Sequence, residues 1–366
     1  MSPSVSKPPV SKSPASAAGP AVQVDGLDVT FTTKGWGGAR VVRAVQDVSF
    51  AIPAGRTLGV AGESGSGKST VARALMRITP VQSGRVVIGG SDVTRMGGRA
   101  LRGFRRQMQM VFQDPYDSLN PRITVGDSVA EALSVTGTAR ADQPAAVRTL
   151  FERVGLPITF LERYPHQLSG GQRQRVSIAR ALAVDPQVII CDEAVSALDV
   201  SVRAQILNLL KDLQETLGLS YLFISHDLST LRFLVDDVAI MYFGRIVEMG
   251  SREQVFGAPA HPYTRALFAA IPEPGTRRVR PRSRLAGEPP SQADPPTGCP
   301  FHPRCPLAQD LCRTERPELT VVPNGQRAAC HFPVPGPVDL TAPTIGPAPG
   351  TSVPVVPAPT LPGGAA

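Results

Sequence analysis

Residues 57–78 read TLGVAGESGSGKSTVARALMRI. Thr57–Ala61 is an apolar run of strand length, Gly62–Ser69 spells G-x-x-x-x-G-K-S, and Val71, Leu75 and Ile78 recur at helical spacing behind it. Strand, glycine loop and helix in that order open an α/β fold built on a parallel sheet. Gly62, Gly65 and Gly67 let backbone N–H groups come close to phosphate oxygens, and the new helix adds the positive end of its dipole. Lys68 is placed to reach the β- and γ-phosphates of a nucleotide, and the Ser69 hydroxyl to take a position on Mg²⁺. A plain Gly/Ser turn before a helix needs neither the lysine nor the hydroxyl.

Outward from this loop, further strand-sized runs end in polar residues. Val188–Cys191 is followed by Asp192 and Glu193. A carboxylate at such a strand tip can hold a magnesium shell, and the next one can polarise an attacking water. Acidic residues also cap strands for no catalytic reason, so this pair gains meaning only from the glycine loop upstream. Tyr221–Ile224 leads to Ser225, His226 and Asp227, which makes His226 a candidate γ-phosphate contact rather than a surface histidine. Gln113, after the strand-like Met110–Phe112, can bring an amide oxygen to the metal or to the water. A second helix start with small residues occurs at LSGGQRQRVSIARAL, Leu168–Leu182, where Ser169, Gly170 and Gly171 precede the helix. One chain does not need two phosphate sites, unless the second completes the pocket of a facing subunit.

The chain of 366 residues has 42% hydrophobic and 19% charged residues, ordinary for a protein with a sizeable core. No apolar run approaches the roughly 18–20 residues that span a bilayer, and Met1–Pro20 lacks the apolar core of a secretory signal. A cytosolic location is therefore expected, and a role in transport would require membrane-spanning partners. The net charge of +8 owes much to Arg277, Arg278, Arg280, Arg282 and Arg284, best read as a solvated basic linker rather than a lipid or nucleic-acid site. The expected organisation is a disordered tail over 1–20, an α/β domain over 21–272 with a helical section over about 124–184, a Cys-rich extension over 273–332 and a Pro-rich disordered tail over 333–366.

The sequence LSGGQ at Leu168–Gln172 resembles the signature of the ABC ATPase family, and the resemblance extends over about Val22–Pro272 with every landmark in the family's order. The Walker A matches Gly62–Thr70, the Q-loop Gln113, the Walker B Val188–Asp192, the D-loop Ser196, Ala197, Leu198 and Asp199, and the switch histidine His226. The fold this implies is α/β: a P-loop nucleotide-binding domain with a helical subdomain, plus the small Cys-rich C-terminal extension. The resemblance implies two such domains paired head to tail, with ATP held by Ser64, Gly65, Gly67, Lys68, Ser69, Thr70 and Asp192 of one and by Leu168, Ser169, Gly170, Gly171 and Gln172 of the other. It also implies magnesium held through Ser69, Gln113 and Asp192, Glu193 as the catalytic base, and Phe31 stacked on adenine.

Finer resemblance narrows the subfamily. FQDPYDSLNPR at Phe112–Arg122, HPYTRAL at His261–Leu267 and GCPFHPRCPLA at Gly298–Ala308 are similar to the ATPases of dipeptide and oligopeptide importers, and more to the second of their two ATPases. The partners implied are two permease subunits meeting the segment Asp114–Arg122, a paralogous ATPase and an extracytoplasmic solute-binding protein. The chain would then lie at the cytoplasmic face of the cell membrane. Related systems carry nickel, opines or oligosaccharides, and soluble ABC ATPases act in DNA repair or translation. The latter usually carry tandem ATPase domains or long coiled-coil inserts, and neither is visible here; no nucleic-acid partner is expected. Ala194 departs from the proline usual after the glutamate, which loosens that loop without removing a catalytic group.

Cys299, Cys305, Cys312 and Cys330 are separated by five, six and seventeen residues in a region poor in apolar residues, where a metal can replace a core. Four thiolates suit Zn²⁺ or an iron–sulfur cluster, with His302 and His331 as substitutes, although the lack of C-x₂-C pairs argues against a zinc ribbon. No metal at all is the third option. Some members of the resembled subfamily carry a [4Fe–4S] cluster at this extension. Cys191, apart from these, reads as a small core residue.

Overall fold

Some strands show no alternation of buried and exposed residues. Every residue is buried in β3 (Thr57–Ala61), β7 (Val188–Asp192) and β8 (Ser220–Ile224). Such runs belong in a parallel sheet covered on both faces. The computed structural model describes residues 19–35, 38–113, 118–269, 290–291, 295–334 and 336. The Arg277–Arg284 cluster, the first four residues of Asp114–Arg122 and most of both tails lie outside the described residues.

Among the described residues the central sheet has eight strands in the order β11-β12-β10-β9-β3-β8-β7-β6. Its members beyond those above are β6 (Met108–Val111), β9 (Asp237–Tyr242), β10 (Arg245–Ser251), β11 (Thr320–Val321) and β12 (Arg327–Ala328). β9, β3, β8, β7 and β6 run parallel, so their C-terminal ends share one edge. A second, antiparallel sheet of β1 (Val22–Gly35), β2 (Gly38–Ile52), β4 (Ser83–Ile88) and β5 (Ser91–Asp92) is ordered β2-β1-β4-β5.

Successive strand residues feed two cores. Val188, Ile190, Leu222, Ile224 and Met241 pack with α1 (Lys68–Leu75) and the antiparallel sheet. Ile189, Cys191, Tyr221, Phe223 and Tyr242 face the other way. There they meet α3 (Val125–Ser134), α4 (Gln143–Arg153), α5 (Gly170–Leu182), α6 (Val200–Leu217) and α7 (Leu228–Leu234), α2 (Gly98–Gln107) lying on the first side. Three of these helices, α3, α4 and α5, lie between residues 125 and 182. α3 is capped by Thr124, whose Oγ1 accepts from the Asp127 N–H at 3.1 Å. Cys191 is fully buried as expected, and burial pushes its thiol up to about 12. β6 ends at Val111, so Phe112 is not a strand residue and is 42% exposed.

The extension does not stand apart. β12 pairs with β10, and Cys299, Phe301 and Cys312 join the same core as Tyr242 and Tyr263. A segment too poor in apolar residues to enclose a core of its own gains one by adding strands to an existing sheet.

The junction carries an acid-sensitive group. His261, between α8 (Arg252–Gly257) and α9 (Pro262–Ala269), accepts the Tyr263 N–H on Nδ1 at 3.0 Å, which requires a neutral ring. Burial pulls its pKa from 6.5 down to about 3. The unfolded chain binds this proton below about 6.5 while the folded chain resists it, so stability is lost as pH falls from 6.5 towards 3. Between pH 7 and pH 5 the loss from this residue should be about 2 kcal/mol. Glu248, whose carboxylate accepts the His261 N–H at 2.9 Å, has the opposite sign, because burial raises its pKa and acidification then favours the folded chain. Urea unfolding of wild type and His261→Asn at both pH values separates the two, since the asparagine Oδ1 can replace Nδ1 as acceptor. The variant should lose less stability on acidification; equal losses would remove His261 from the account.

Candidate active site

The phosphate loop leaves the C-terminal end of β3 and enters α1 under steric constraint. Gly62 and Gly67 have φ of 151° and 104°. A Cβ at Gly62 would lie 2.2 Å from the Met241 carbonyl oxygen, and one at Gly67 2.4 Å from that of Ala44. The loop is thus wedged between β9 and β2, and only glycine fits at both contacts. Gly65, with φ of 78°, faces open space, and Ser64 beside it is exposed.

Lys68 is buried at the head of α1, and its Nζ donates to the carbonyls of Gly62 and Glu63, each at 2.8 Å. The third N–H has only a long contact to Ser66 Oγ, at 3.4 Å, which an anion can replace. Burial lowers the lysine pKa, and the carboxylates of Glu193, Asp192 and Glu63 oppose that shift. The Ser69 Oγ donates to Asp192 Oδ1 at 2.9 Å, which joins the loop to the end of β7. Burial also raises the Asp192 pKa, with the Ser69 hydrogen bond pulling the other way.

Glu193 follows with φ of 51°, left-handed for a residue that has a Cβ. Its N–H donates to the Ile224 carbonyl at 2.9 Å, and its Oε2 lies 3.2 Å from His226 Nδ1, just past β8. Parallel pairing of β6, β7 and β8 therefore brings Glu193 and His226 together with Ser69 and Asp192. Gln113, exposed two residues beyond Val111, follows the strand that pairs with β7 at Cys191. Phe31 pairs with Val42, two residues from the Ala44 carbonyl that touches the loop, and its ring is 41% exposed rather than in the core.

The second helix start is placed elsewhere. Ser169 caps α5 reciprocally, its Oγ accepting the Gln172 N–H at 3.3 Å and its N–H donating to Gln172 Oε1 at 2.9 Å. Leu168 is buried beneath it. A Cβ at Gly170 would touch Leu198, and one at Gly171 would overlap Val202 at 2.3 Å. The signature packs against Leu198 and α6, while Ala197 and Asp199 of the same loop stay exposed. Ser196 Oγ donates to the Glu193 carbonyl at 2.9 Å, and Arg203 bridges Asp227 at 2.6 Å and the Leu198 carbonyl at 3.2 Å. The D-loop is thus tied to both the glutamate and the histidine strand.

Several residues in this arrangement carry no motif signal. Glu63 occupies a variable position of G-x-x-x-x-G-K-S, and Arg203 and Asp227 form an ordinary ion pair in sequence. Tyr263, whose hydroxyl accepts the Glu63 N–H at 2.8 Å, and Arg304 fall within HPYTRAL and GCPFHPRCPLA, where only resemblance marks them.

The four extension cysteines line one pocket, together with His261, Phe301, His302 and His331. Among the described residues, no group of three or more His, Cys, Asp or Glu side chains is assembled to hold a metal ion. Burial keeps Cys305 and Cys330 as thiols, pushed up to about 11 and about 12. Nor is any helix among the described residues long and apolar enough to cross a membrane.

Comparison with known proteins bears on this geometry directly. The family described as ABC transporter matches residues 45–196, and the family described as oligopeptide/dipeptide transporter, C-terminal region, matches residues 247–312. The chain is 53% identical over 296 residues to the "Probable peptide ABC transporter ATP-binding protein y4tS" of Sinorhizobium fredii, covering 81% of this chain and 84% of that one. The dimeric post-hydrolysis state of the ATP-binding cassette MJ0796 bound to ADP and Pi superposes with a TM-score of 0.57 at 28% identity, covering 63% of this chain and 98% of the other. CbiO1 from Clostridium perfringens, part of an ABC transporter complex, gives 0.57 at 26% identity, covering 65% and 90%. With the phosphate loop, the Ser69–Asp192 contact and the Glu193–His226 pair at one sheet edge, this chain belongs to the ATP-binding proteins of ABC transporters and is an ATPase carrying the oligopeptide/dipeptide transporter C-terminal region.

Proposed function

We propose that this chain is the ATP-hydrolysing subunit of a dipeptide or oligopeptide importer. The observation that carries its catalytic side is the placing of Ser69 Oγ 2.9 Å from Asp192 Oδ1, beside Glu193 Oε2 at 3.2 Å from His226. Adjacent oxygens of an octahedral magnesium shell lie roughly 3 Å apart, so the first pair suits that ion, with Gln113 as a further ligand. Magnesium held there would neutralise charge on the β- and γ-phosphoryl oxygens. Lys68 binds the phosphates with its remaining N–H, Glu193 accepts a proton from the attacking water, and His226 orients the glutamate and meets the γ-phosphate. Phe31 supplies a face for adenine. Lys68→Ala should weaken ATP binding by roughly tenfold to a hundredfold, because a charged donor is lost. Equilibrium titration with a fluorescent ATP analogue measures this, and unchanged affinity would reject the cradle.

The signature packs against Leu198 and α6, and head-to-tail pairing with a second ATPase, a paralogue in our reading, would set it on that subunit's nucleotide. An open groove lined by Asn120, Ile123, Asp127, Glu131 and Arg140 follows Gln113 in the chain and suits a permease segment. The peptide assignment rests on the C-terminal family match and on the named relative. A pair of permeases, a solute-binding protein and attachment to the cytoplasmic membrane face complete the assembly. Uptake of labelled peptides by cells lacking the gene should return with wild type and not with Glu193→Gln. Restored uptake of nickel, an opine or an oligosaccharide instead would change the solute and leave the ATPase.

The four cysteines remain, in our reading, a ligand set for a [4Fe–4S] cluster or for zinc. Their convergence on one pocket fits four-thiolate ligation in donor type, though the ligands are not preassembled. Buried neutral thiols ionise readily only beside a cation. Anaerobic purification should give iron and sulfide in equal amounts; one zinc per chain selects the alternative, and neither metal rejects both.

A further inference from the structure

Glu63, in the phosphate loop, is held at three groups, two of them by residues outside the ATPase motifs. Its N–H donates to the Tyr263 hydroxyl at 2.8 Å, and its carbonyl accepts from Lys68 Nζ at 2.8 Å. Its carboxylate takes both ends of the Arg304 guanidinium, Nη1 to Oε2 at 2.7 Å and Nη2 to Oε1 at 3.0 Å. Arg304 belongs to the extension, 241 residues away in sequence. Its side chain is 5% exposed and that of Glu63 is 26% exposed, so the pair is largely shielded from water. Such a two-pronged charged contact fixes orientation as well as distance.

Arg304 is itself firmly placed. It ends a short 3₁₀ turn, His302–Arg304, with its N–H donating to the Phe301 carbonyl at 3.0 Å, and it precedes Cys305 of the cysteine pocket. Phe301 lies edge-on to Tyr242 and Tyr263, with ring centroids 5.3 Å and 5.4 Å apart. Tyr242 follows Met241, whose carbonyl closes on Gly62. The extension therefore grips both the side chain of Glu63 and the strand behind the loop.

We propose that Arg304 is a positioning residue of the nucleotide site, which makes the Cys-rich extension a working part of the phosphate loop. By fixing the Glu63 carboxylate it holds the Glu63 carbonyl, and that carbonyl anchors Lys68 where the phosphates bind. The effect belongs to ATP binding and not to the chemical step, since the link runs from Arg304 through Glu63 to Lys68. The proposal rests on the assignment of Lys68 to ATP.

The test compares Arg304→Gln, Glu63→Gln, the double variant and Lys68→Ala in the full-length chain, by ATP affinity, KM, kcat and thermal melting. Arg304→Gln and Glu63→Gln should each raise the Kd and KM for ATP roughly tenfold, the effect of one charged contact, with kcat at saturating ATP within about threefold of wild type. The double variant should be no worse than either single one, because both remove the same link. Multiplying effects, or an unchanged Kd in Arg304→Gln, would overturn the coupling. If Arg304→Gln does not fold, Glu63→Gln carries the same test, because it leaves Arg304 and its packing in place. A wild-type Kd in Lys68→Ala would reject the assignment of the site itself; weakened binding there beside normal binding in Arg304→Gln rejects only the coupling.

Discussion

Glu193→Gln should cut the rate of ATP hydrolysis by roughly a hundredfold to ten-thousandfold, the contribution of a positioned general base, and leave ATP affinity near wild type. The amide keeps the shape of the carboxylate and cannot take a proton from water. Its backbone setting is independent of the change. The left-handed φ of 51° is held by the N–H donation to the Ile224 carbonyl and by the contacts that Ser196 makes with the Glu193 carbonyl. His226 Nδ1 retains an acceptor in the glutamine Oε1. On the head-to-tail pairing proposed above, a variant that binds ATP without splitting it should also stay bound to the paralogous ATPase, so gel filtration of the two with ATP should show a stable pair where wild type shows none. Turnover at the wild-type rate would remove Glu193 as the base and direct attention to His226 or Gln113.

Gly67→Ala should abolish tight ATP binding, with a loss of roughly a hundredfold or more, from left-handed strain combined with overpacking. The new methyl group would sit 2.4 Å from the Ala44 carbonyl oxygen and 3.4 Å from the Gly244 Cα, on backbone that cannot swing aside. Relief requires the head of α1 to shift, and Lys68 and Ser69 shift with it. Gly65→Ala is the matched control. It also has a left-handed φ, of 78°, but its Cβ would enter open space. Its cost should be the backbone strain alone, about 1–2 kcal/mol, or roughly a fivefold to thirtyfold loss. Titration of both variants with a nucleotide analogue ranks them. Equal losses would mean that strain and not the wedge between β2 and β9 makes glycine necessary at position 67.

Much of the nucleotide site is legible in the amino-acid sequence because its parts are local. The G-x-x-x-x-G-K-S motif specifies a backbone path, and the lysine and hydroxyl follow that path within a single turn of α1. Ser169 and Gln172 spell their own capping box. The runs Val188–Cys191 and Tyr221–Ile224 are apolar throughout because parallel strands are covered on both faces, and this also explains why their polar ends mark the site. The limits of strands are less legible: Phe112 continues an apolar run in sequence but lies beyond the last residue of β6 and is exposed.

By itself the sequence marked the ATPase: a glycine loop after an apolar strand, the lysine and hydroxyl that follow it, and the order of the landmarks. These are properties of short segments, whose chemistry is written in adjacent residues. Only the tertiary structure decided how the C-terminal extension is used. The bonds from Arg304 to Glu63, from Glu63 to Tyr263 and from Gln326 to Glu248 join residues 241, 200 and 78 positions apart. No spacing or periodicity encodes such pairs, because they form only when β12 joins β10 and Phe301 enters the core. The same is true of His261, an ordinary histidine in sequence that burial alone turns into an acid-sensitive one.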